Sequence, residues 1–402
     1  MSTVLHRQPS TGKTIMDMIQ TLKTYLEDNK NEMFDLLEQI VNINSYSGNK
    51  KGVDKVVDVL EGTFKDMGLT IRRQQRDVTG DNLVAENAAR ISGGGLLMIG
   101  HMDTVFPPEM GFDTYRKDGN TIYGPGVYDM KGGLVVGIFA AKAMQAAGLL
   151  ETIPVGFTYN SDEEIGSPHS RDIIVKEAKR SDFCFVMEGS GANGGEIVTG
   201  RKGRIVFDFE VTGKAGHAGN AAFPKASAIA EMAQMVTALE ALNDPEAGTS
   251  LNVGQIEGGV GPNTVAATAK ARVETRFTTM EGRDKVWSAI NKIITSPTLS
   301  GTSATLKIQI ERPPMVPNEA NLALFDSVEQ AAKELGLSVK SNFRGGGSDA
   351  NIVSEAGVPV LDGLGSSGEK LHTPDESMRA DSMVRQALLT ALSAVRAYEK
   401  YA

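Results

Sequence analysis

Short, largely apolar runs that stop abruptly at polar, glycine-rich turns constrain this chain more than any other feature. Leu96-Leu97-Met98-Ile99 gives way to Gly100-His101-Met102-Asp103, and Ile153 to Tyr159 gives way to Asn160-Ser161-Asp162-Glu163-Glu164. Phe183-Cys184-Phe185-Val186-Met187 ends in the same manner, at Glu188-Gly189. Runs of this length bounded by turn residues are buried strands. Between them, Gly132 to Met144 and Ser170 to Lys179 space their apolar residues as helices do. Strand–helix alternation predicts an α/β layer, a mostly parallel mixed sheet flanked by helices. Sheets of that kind place their sites beyond the carboxyl ends of the strands.

Upstream, Asp28 to Asn44 and Val53 to Met67 carry helical spacing after a loose start, and Gly68 suits the end of the second helix. From about Gly203 the texture changes. Arg204 to Val211 reads as a half-exposed strand, followed by a helix at Ala226–Leu242 and strands near Leu251–Glu257 and Thr268–Phe277. A helix at Asp284–Ile294 and a strand at Ala304–Ile310 complete a βαββαβ order, that of a ferredoxin-like α+β module. Past Arg312-Pro313-Pro314 the α/β texture resumes, with helices at Ala320–Leu335 and Ser382–Tyr398 and a short strand at Val358–Leu361. The expected organisation is a catalytic domain over residues 1–202 and 314–402, interrupted by a lid domain over 203–313.

A chain of 402 residues exceeds what one core usually holds, which agrees with two domains. The net charge of −9 argues against nucleic acid or an anionic membrane as a bulk electrostatic partner. The single cysteine, Cys184, leaves no disulfide within the chain and no cysteine-built zinc site; its apolar surroundings place it in a buried strand. Met1 to Met18 lacks the apolar stretch of a secretory signal, and no segment approaches the length of a membrane span, so the expected location is cytoplasmic.

Five segments offer oxygen and nitrogen ligands: His101-Met102-Asp103, Asp129 in the turn Gly124 to Gly133, Glu163-Glu164, Glu188, and His372-Thr373-Pro374. Two tetrahedral zincs bridged by one carboxylate need about this inventory. Asp129 can bridge, His101 and Glu188 can complete one metal, and Glu164 and His372 the other. Asp103 can orient His101 from behind, and Glu163 is left to move a proton.

At these residues the chain resembles the aminoacylase/carboxypeptidase-G family of di-zinc exopeptidases. The likeness rests on Gly100-His101-Met102-Asp103-Thr104-Val105, Gly124-Pro125-Gly126 through Asp129-Met130-Lys131-Gly132-Gly133, and Asp162-Glu163-Glu164-Ile165-Gly166. It continues through Gly213-Lys214-Ala215-Gly216-His217-Ala218-Gly219, Gly345-Gly346-Gly347-Ser348-Asp349-Ala350 and His372-Thr373-Pro374. The resemblance implies two zinc ions per subunit, with cobalt or manganese as substitutes, on the same ligands, and Glu163 as general base. Met130 stands where some members carry a second aspartate, and Ala266 stands where the family's Asn-x-Ile/Val-Pro loop ends in proline, which loosens the role of Asn263.

The resemblance further implies a homodimer through the lid domain, in which His217 reaches the partner subunit's site to steady the oxyanion. Glutamate carboxypeptidases resemble this chain at Arg276, implied to bind the substrate α-carboxylate, and at Arg312, implied to bind the side-chain carboxylate. A bidentate guanidinium suits either task, and Gly347 ends a glycine run whose backbone can approach a ligand. The expected activity is that of a metallocarboxypeptidase releasing a C-terminal amino acid, glutamate first, from a small peptide or N-acyl amino acid. Deacylation of an N-acyl amino acid uses the same chemistry, while a non-catalytic ligand-binding homologue is the alternative from another class.

Overall fold

Four parallel strands, Val155–Asn160, Leu96–His101, Phe183–Val186 and Val360–Asp362, lie side by side at the centre of an eight-stranded sheet. The computed structural model describes residues 14–401; residues 1–13 of the loose start expected before Asp28 lie outside the described residues. Every residue of the four central strands is buried, as strands covered on both faces must be. Asn82–Glu86 and Thr70–Gln74 extend one side antiparallel, and Glu196–Arg201 and then Lys340–Arg344 extend the other.

The helix Lys131–Ala146 is apolar almost all round because it packs on Leu96–His101 while the C-terminal helix Ser382–Tyr401 covers it from outside. Gly133 permits the close approach: a Cβ there would stand 1.8 Å from the Met187 carbonyl oxygen. The helices Arg171–Ala178 and Asp349–Glu355 pack together elsewhere on the sheet. One helix, Ile15–Asp28, was not expected from the sequence. Thr14 starts it with a capping box: its hydroxyl accepts from Asp17 N at 3.2 Å, and the Asp17 carboxylate accepts from Thr14 N at 3.0 Å.

The described chain divides into two compact units. One holds the residues up to Thr199 with Pro317–Phe343 and everything from Ser348; the other holds Gly200–Val316 and Arg344–Gly347. In the second unit an antiparallel sheet runs in the order Ser250–Gly258, Thr268–Phe277, Gly203–Thr212, Ser303–Arg312. Burial alternates along Thr268–Phe277, so one sheet face is covered. The covered face carries Phe207, Phe209 and Val273, and it packs with Met232 of Ala228–Glu240 and Ile290 of Met280–Thr295. This is the ferredoxin-like βαββαβ arrangement. Among the described residues no helix is long and apolar enough to cross a membrane.

Candidate metal centre

Four of the ligand-type residues of the first unit owe their positions to strand ends. His101 closes Leu96–His101, Glu188 follows Phe183–Val186, and Glu163 and Glu164 lie in a single 3-10 turn just past Val155–Asn160. Asp129 precedes the N-terminus of Lys131–Ala146, where the helix dipole favours an anion. His372 comes from the C-terminal region and holds φ at 63°, a left-handed conformation that costs a non-glycine residue free energy.

The structure brings five of these side chains together. Asp129 Oδ1 lies 3.3 Å from His101 Nε2, which in turn lies 3.7 Å from Glu188 Oε1. Asp129 Oδ2 lies 3.1 Å from His372 Nε2, which lies 3.2 Å from Glu164 Oε2. His101, Asp129 and Glu164 each place a donor atom within 4.8 Å of the others. The aspartate therefore divides its two oxygens between two histidine–glutamate pairs.

The donor set fits divalent metal. Zinc bonded at about 2.0–2.2 Å in a tetrahedron sets neighbouring donors about 3.3–3.6 Å apart, and the separations above bracket that value. Glu164 Oε1 is buried with no hydrogen-bond partner, an orphaned acceptor that a cation would satisfy. All donors are imidazole nitrogen or carboxylate oxygen; Cys184 is buried in its strand, and burial pushes its thiol up to about 12.

Without metal, protons carry this charge. Burial alone would pull the His101 imidazole down, yet hydrogen bonds to Asp103 and Asp129 and the Glu188 charge raise it well above its ordinary value. Hydrogen bonds to Asp129 and Glu164 raise His372 to about 10. Burial, reinforced by the Asp129 charge, pushes Glu164 up to about 8 and raises Glu188 well above the carboxylate range. Asp129 goes the other way: despite burial, hydrogen bonds to His101 and His372 hold it below that range.

Asp103 is buried behind the centre. Its carbonyl oxygen lies 2.9 Å from His101 Nδ1, which leaves Nε2 facing the carboxylates. Its carboxylate accepts Glu163 N at 3.1 Å, Glu164 N at 3.2 Å and the Ser47 hydroxyl at 2.6 Å. Met130 is buried, and its sulfur accepts the His101 backbone N–H at 3.3 Å.

The remaining expected residues belong to the second unit. His217 pairs across a two-stranded ribbon with Thr264, and Ala218 N donates to the Asn263 carbonyl at 2.9 Å, so His217 and Asn263 are neighbours. Gly219 N donates to His217 Nδ1 at 3.2 Å, which directs the ring's remaining N–H donor onto Nε2. Arg276 donates to the Gly345 carbonyl at 2.6 Å, at the start of the glycine run that Gly347 closes. Strand register aligns Arg276 with Arg204 and Arg204 with the buried Arg312, forming a row of three arginines. Glu274 lies between two of them, 2.6 Å from each of Arg276 Nε and Arg204 Nε.

Sequence reasoning missed four residues here. Ser47 and Arg204 are two. Lys131 is fully buried, donates to the Ile40 and Ile43 carbonyls at 2.9 and 3.0 Å, and is lowered to about 7 by burial. Glu376 is fully buried against the turn that carries Asp129, and burial raises it to about 7. The spacing His372-x-x-x-Glu376 was the available signal for Glu376.

Imidazole and carboxylate donors gathered at the carboxyl ends of parallel strands define a metal-dependent hydrolase. The chain belongs to peptidase family M20/M25/M40, whose family model matches residues 97–395, and it is a metallopeptidase. Over 350 residues it is 29% identical to carboxypeptidase G2 from Pseudomonas sp. (strain RS-16), covering 86% of this chain and 84% of that protein. Over 305 residues it is 27% identical to succinyl-diaminopimelate desuccinylase from Coxiella burnetii, covering 70% of this chain and 79% of that protein. Its fold is shared with aminopeptidase PepT from Bacillus cereus at a TM-score of 0.75 and 20% identity, covering 92% of this chain and 99% of that one.

Proposed function

We propose that the chain is a two-zinc carboxypeptidase that releases a C-terminal amino acid, glutamate first among candidates, from a small peptide or N-acyl amino acid. The observation that carries this proposal is the divided aspartate: Asp129 meets His101 with one oxygen and His372 with the other, at 3.3 and 3.1 Å. His101, Asp129 and Glu188 would hold one metal; Asp129, Glu164 and His372 would hold the second. A bound pair of zinc ions, or cobalt or manganese in their place, supplies Lewis acidity toward a scissile carbonyl and acidifies a water.

The chain's own residues do the rest. Glu163, held by its backbone N–H on Asp103, takes a proton from the attacking water and returns it to the leaving nitrogen. Asp103 keeps His101 and the Glu163–Glu164 turn in register. His217, with its donor on Nε2, steadies the developing oxyanion of a partner subunit in a homodimer formed through the second unit. Arg276 receives the substrate α-carboxylate, Arg312 and Gly347 complete the pocket, and Asn263 positions the His217 ribbon. The location is cytoplasmic, which suits a chain whose lone thiol is buried.

A second activity at the same site, removal of an acyl group from an amino acid, is favoured by the likeness to a desuccinylase. One panel separates the two: dipeptides and N-acyl amino acids with acidic, basic and apolar C-terminal residues, assayed for kcat/KM with zinc present. Glutamate release at least about tenfold faster than release of basic or neutral residues is expected, since a charged hydrogen bond is worth about 1.5–3 kcal/mol. Faster release of basic or neutral residues overturns the glutamate assignment. No hydrolysis of any member, with zinc bound, marks a non-catalytic homologue.

A further inference from the structure

Asp129 can serve two metals only if its carboxylate is aimed between two pairs of ligands, and the turn that carries it is poorly suited to aim anything. Residues 124–130 contain Gly124 at φ 150° and Gly126 at φ 80°, outside regular structure. Within the turn, backbone bonds run from Val127 N to the Gly124 carbonyl at 3.2 Å and from Gly132 N to the Gly126 carbonyl at 3.4 Å. Neither involves Asp129.

Glu376 supplies the anchor. Its Oε1 accepts the backbone N–H of Tyr128 at 2.8 Å and of Asp129 at 3.0 Å, and its Oε2 accepts that of Gly126 at 3.3 Å. The carboxylate is fully buried, so these donors are not shared with bulk water. Its own position is fixed by pairing: Ser377, the next residue, lies opposite Tyr123 in the strand pair that leads into the turn. His372 lies on the same segment, so one stretch of chain brings a metal ligand and the seat of the bridging aspartate.

We propose that Glu376 is a positioning residue for the metal pair, seating the backbone of Asp129 so that one aspartate oxygen faces each half of the site; this rests on the two-zinc proposal. Outer-shell groups of this kind change metal affinity or activity by about 10–100-fold when removed. A buried carboxylate can also clamp backbone for stability alone. Glu231 of the second unit does so, accepting Thr298 N at 2.9 Å and Leu299 N at 2.6 Å with no metal ligand nearby in sequence, and it provides a matched control.

The test uses the full chain as wild type, Glu376→Ala, Glu376→Gln and Glu231→Gln. Zinc per chain is measured in zinc-buffered solutions, and Tm is measured with and without zinc. Expected are two zincs on the wild type, a loss of about 10–100-fold in zinc affinity in Glu376→Ala, and a smaller zinc-induced rise in Tm than in wild type. Glu376→Gln, which keeps a carbonyl acceptor for Tyr128 and Asp129, recovers part of the affinity. Glu231→Gln lowers Tm equally with and without zinc and leaves zinc affinity unchanged. Wild-type zinc affinity in both Glu376 variants overturns the inference; if Glu376→Ala does not fold, Glu376→Gln decides alone. A wild type holding fewer than two zincs overturns the two-zinc proposal first, and this role with it.

Discussion

Asp103 Oδ2 accepts the backbone N–H of Glu164 at 3.2 Å, so the acid beyond one strand holds a candidate ligand beyond the next. The same carboxylate takes Glu163 N and the Ser47 hydroxyl. Replacing it with alanine strands buried donors, each costing about 1–3 kcal/mol, and frees the turn that carries Glu163. For Asp103→Ala we expect a lower Tm together with a fall of about 10–100-fold in kcat/KM. Steady-state kinetics beside thermal melts check this; unchanged kcat/KM would remove Asp103 from the site.

Glu163 is assigned proton transfer and no ligand position, so its loss should separate chemistry from metal binding. Glu163→Gln is expected to lower kcat by about 10²–10⁴-fold while zinc content stays at the wild-type level. Mixing it with His217→Ala tests the dimer. If His217 serves the partner's site, two separately inactive variants regain activity on exchange of subunits, and absence of any gain argues that His217 acts within its own chain or not at all.

Zinc bound at the proposed site would have to displace protons. His372 at about 10 and Glu164 at about 8 are both raised in the metal-free protein, so at about pH 7 both carry a proton that binding expels. As pH rises through the Glu164 value that carboxyl ionises before zinc arrives, and fewer protons leave. Apparent zinc affinity therefore climbs from about pH 6 to about pH 9, while proton release per zinc falls between about pH 7 and pH 9. Calorimetry in buffers of different ionisation enthalpy measures both; proton release independent of pH would contradict the prediction.

If Arg276 receives the substrate carboxylate as proposed, the arginine row around it bears on the same contact. Glu274 lies 2.6 Å from Arg276 Nε and from Arg204 Nε, so neither guanidinium is free to drift. Arg276→Ala is expected to raise KM for substrates with a free C-terminal carboxylate by about 10–100-fold, the worth of a charged hydrogen bond, with kcat less affected. Arg204→Ala is expected to act in the same direction and more weakly, by releasing Glu274. Equal kinetics on an amidated and a free C-terminus would show that neither arginine reads the carboxylate.

Much of the fold was legible because burial on both faces leaves an unmistakable trace: Leu96–His101, Val155–Asn160 and Phe183–Val186 are continuous apolar strands. The edge strand Thr70–Gln74 and its neighbour Asn82–Glu86 escaped notice. The first carries two arginines in five residues and the second is a short run with polar ends, so neither shows a clear period. His101, Asp129, Glu164 and Glu188 could be singled out because each follows a strand or turn whose type the local sequence reveals, and His372 through its His-Thr-Pro segment and the family likeness. Ser47 and Lys131 could not, since Ser47 serves a carboxylate and Lys131 two carbonyls distant in sequence, and no local pattern records which group lies across the fold; Glu376 offered only its spacing from His372. The arginine row shows the same limit: Arg204 gains its meaning from register with Arg276 and Arg312.

The central claim is that Asp129 joins two metals. The most direct measurement is metal content by elemental analysis on zinc-loaded wild type and Asp129→Ala, with hydrolysis of an N-acyl glutamate followed on the same samples. Two zincs on the wild type, with loss of zinc and of hydrolysis together in Asp129→Ala, are predicted. Hydrolysis that survives in Asp129→Ala after its zinc is lost, or a wild type fully active with one zinc, would contradict it.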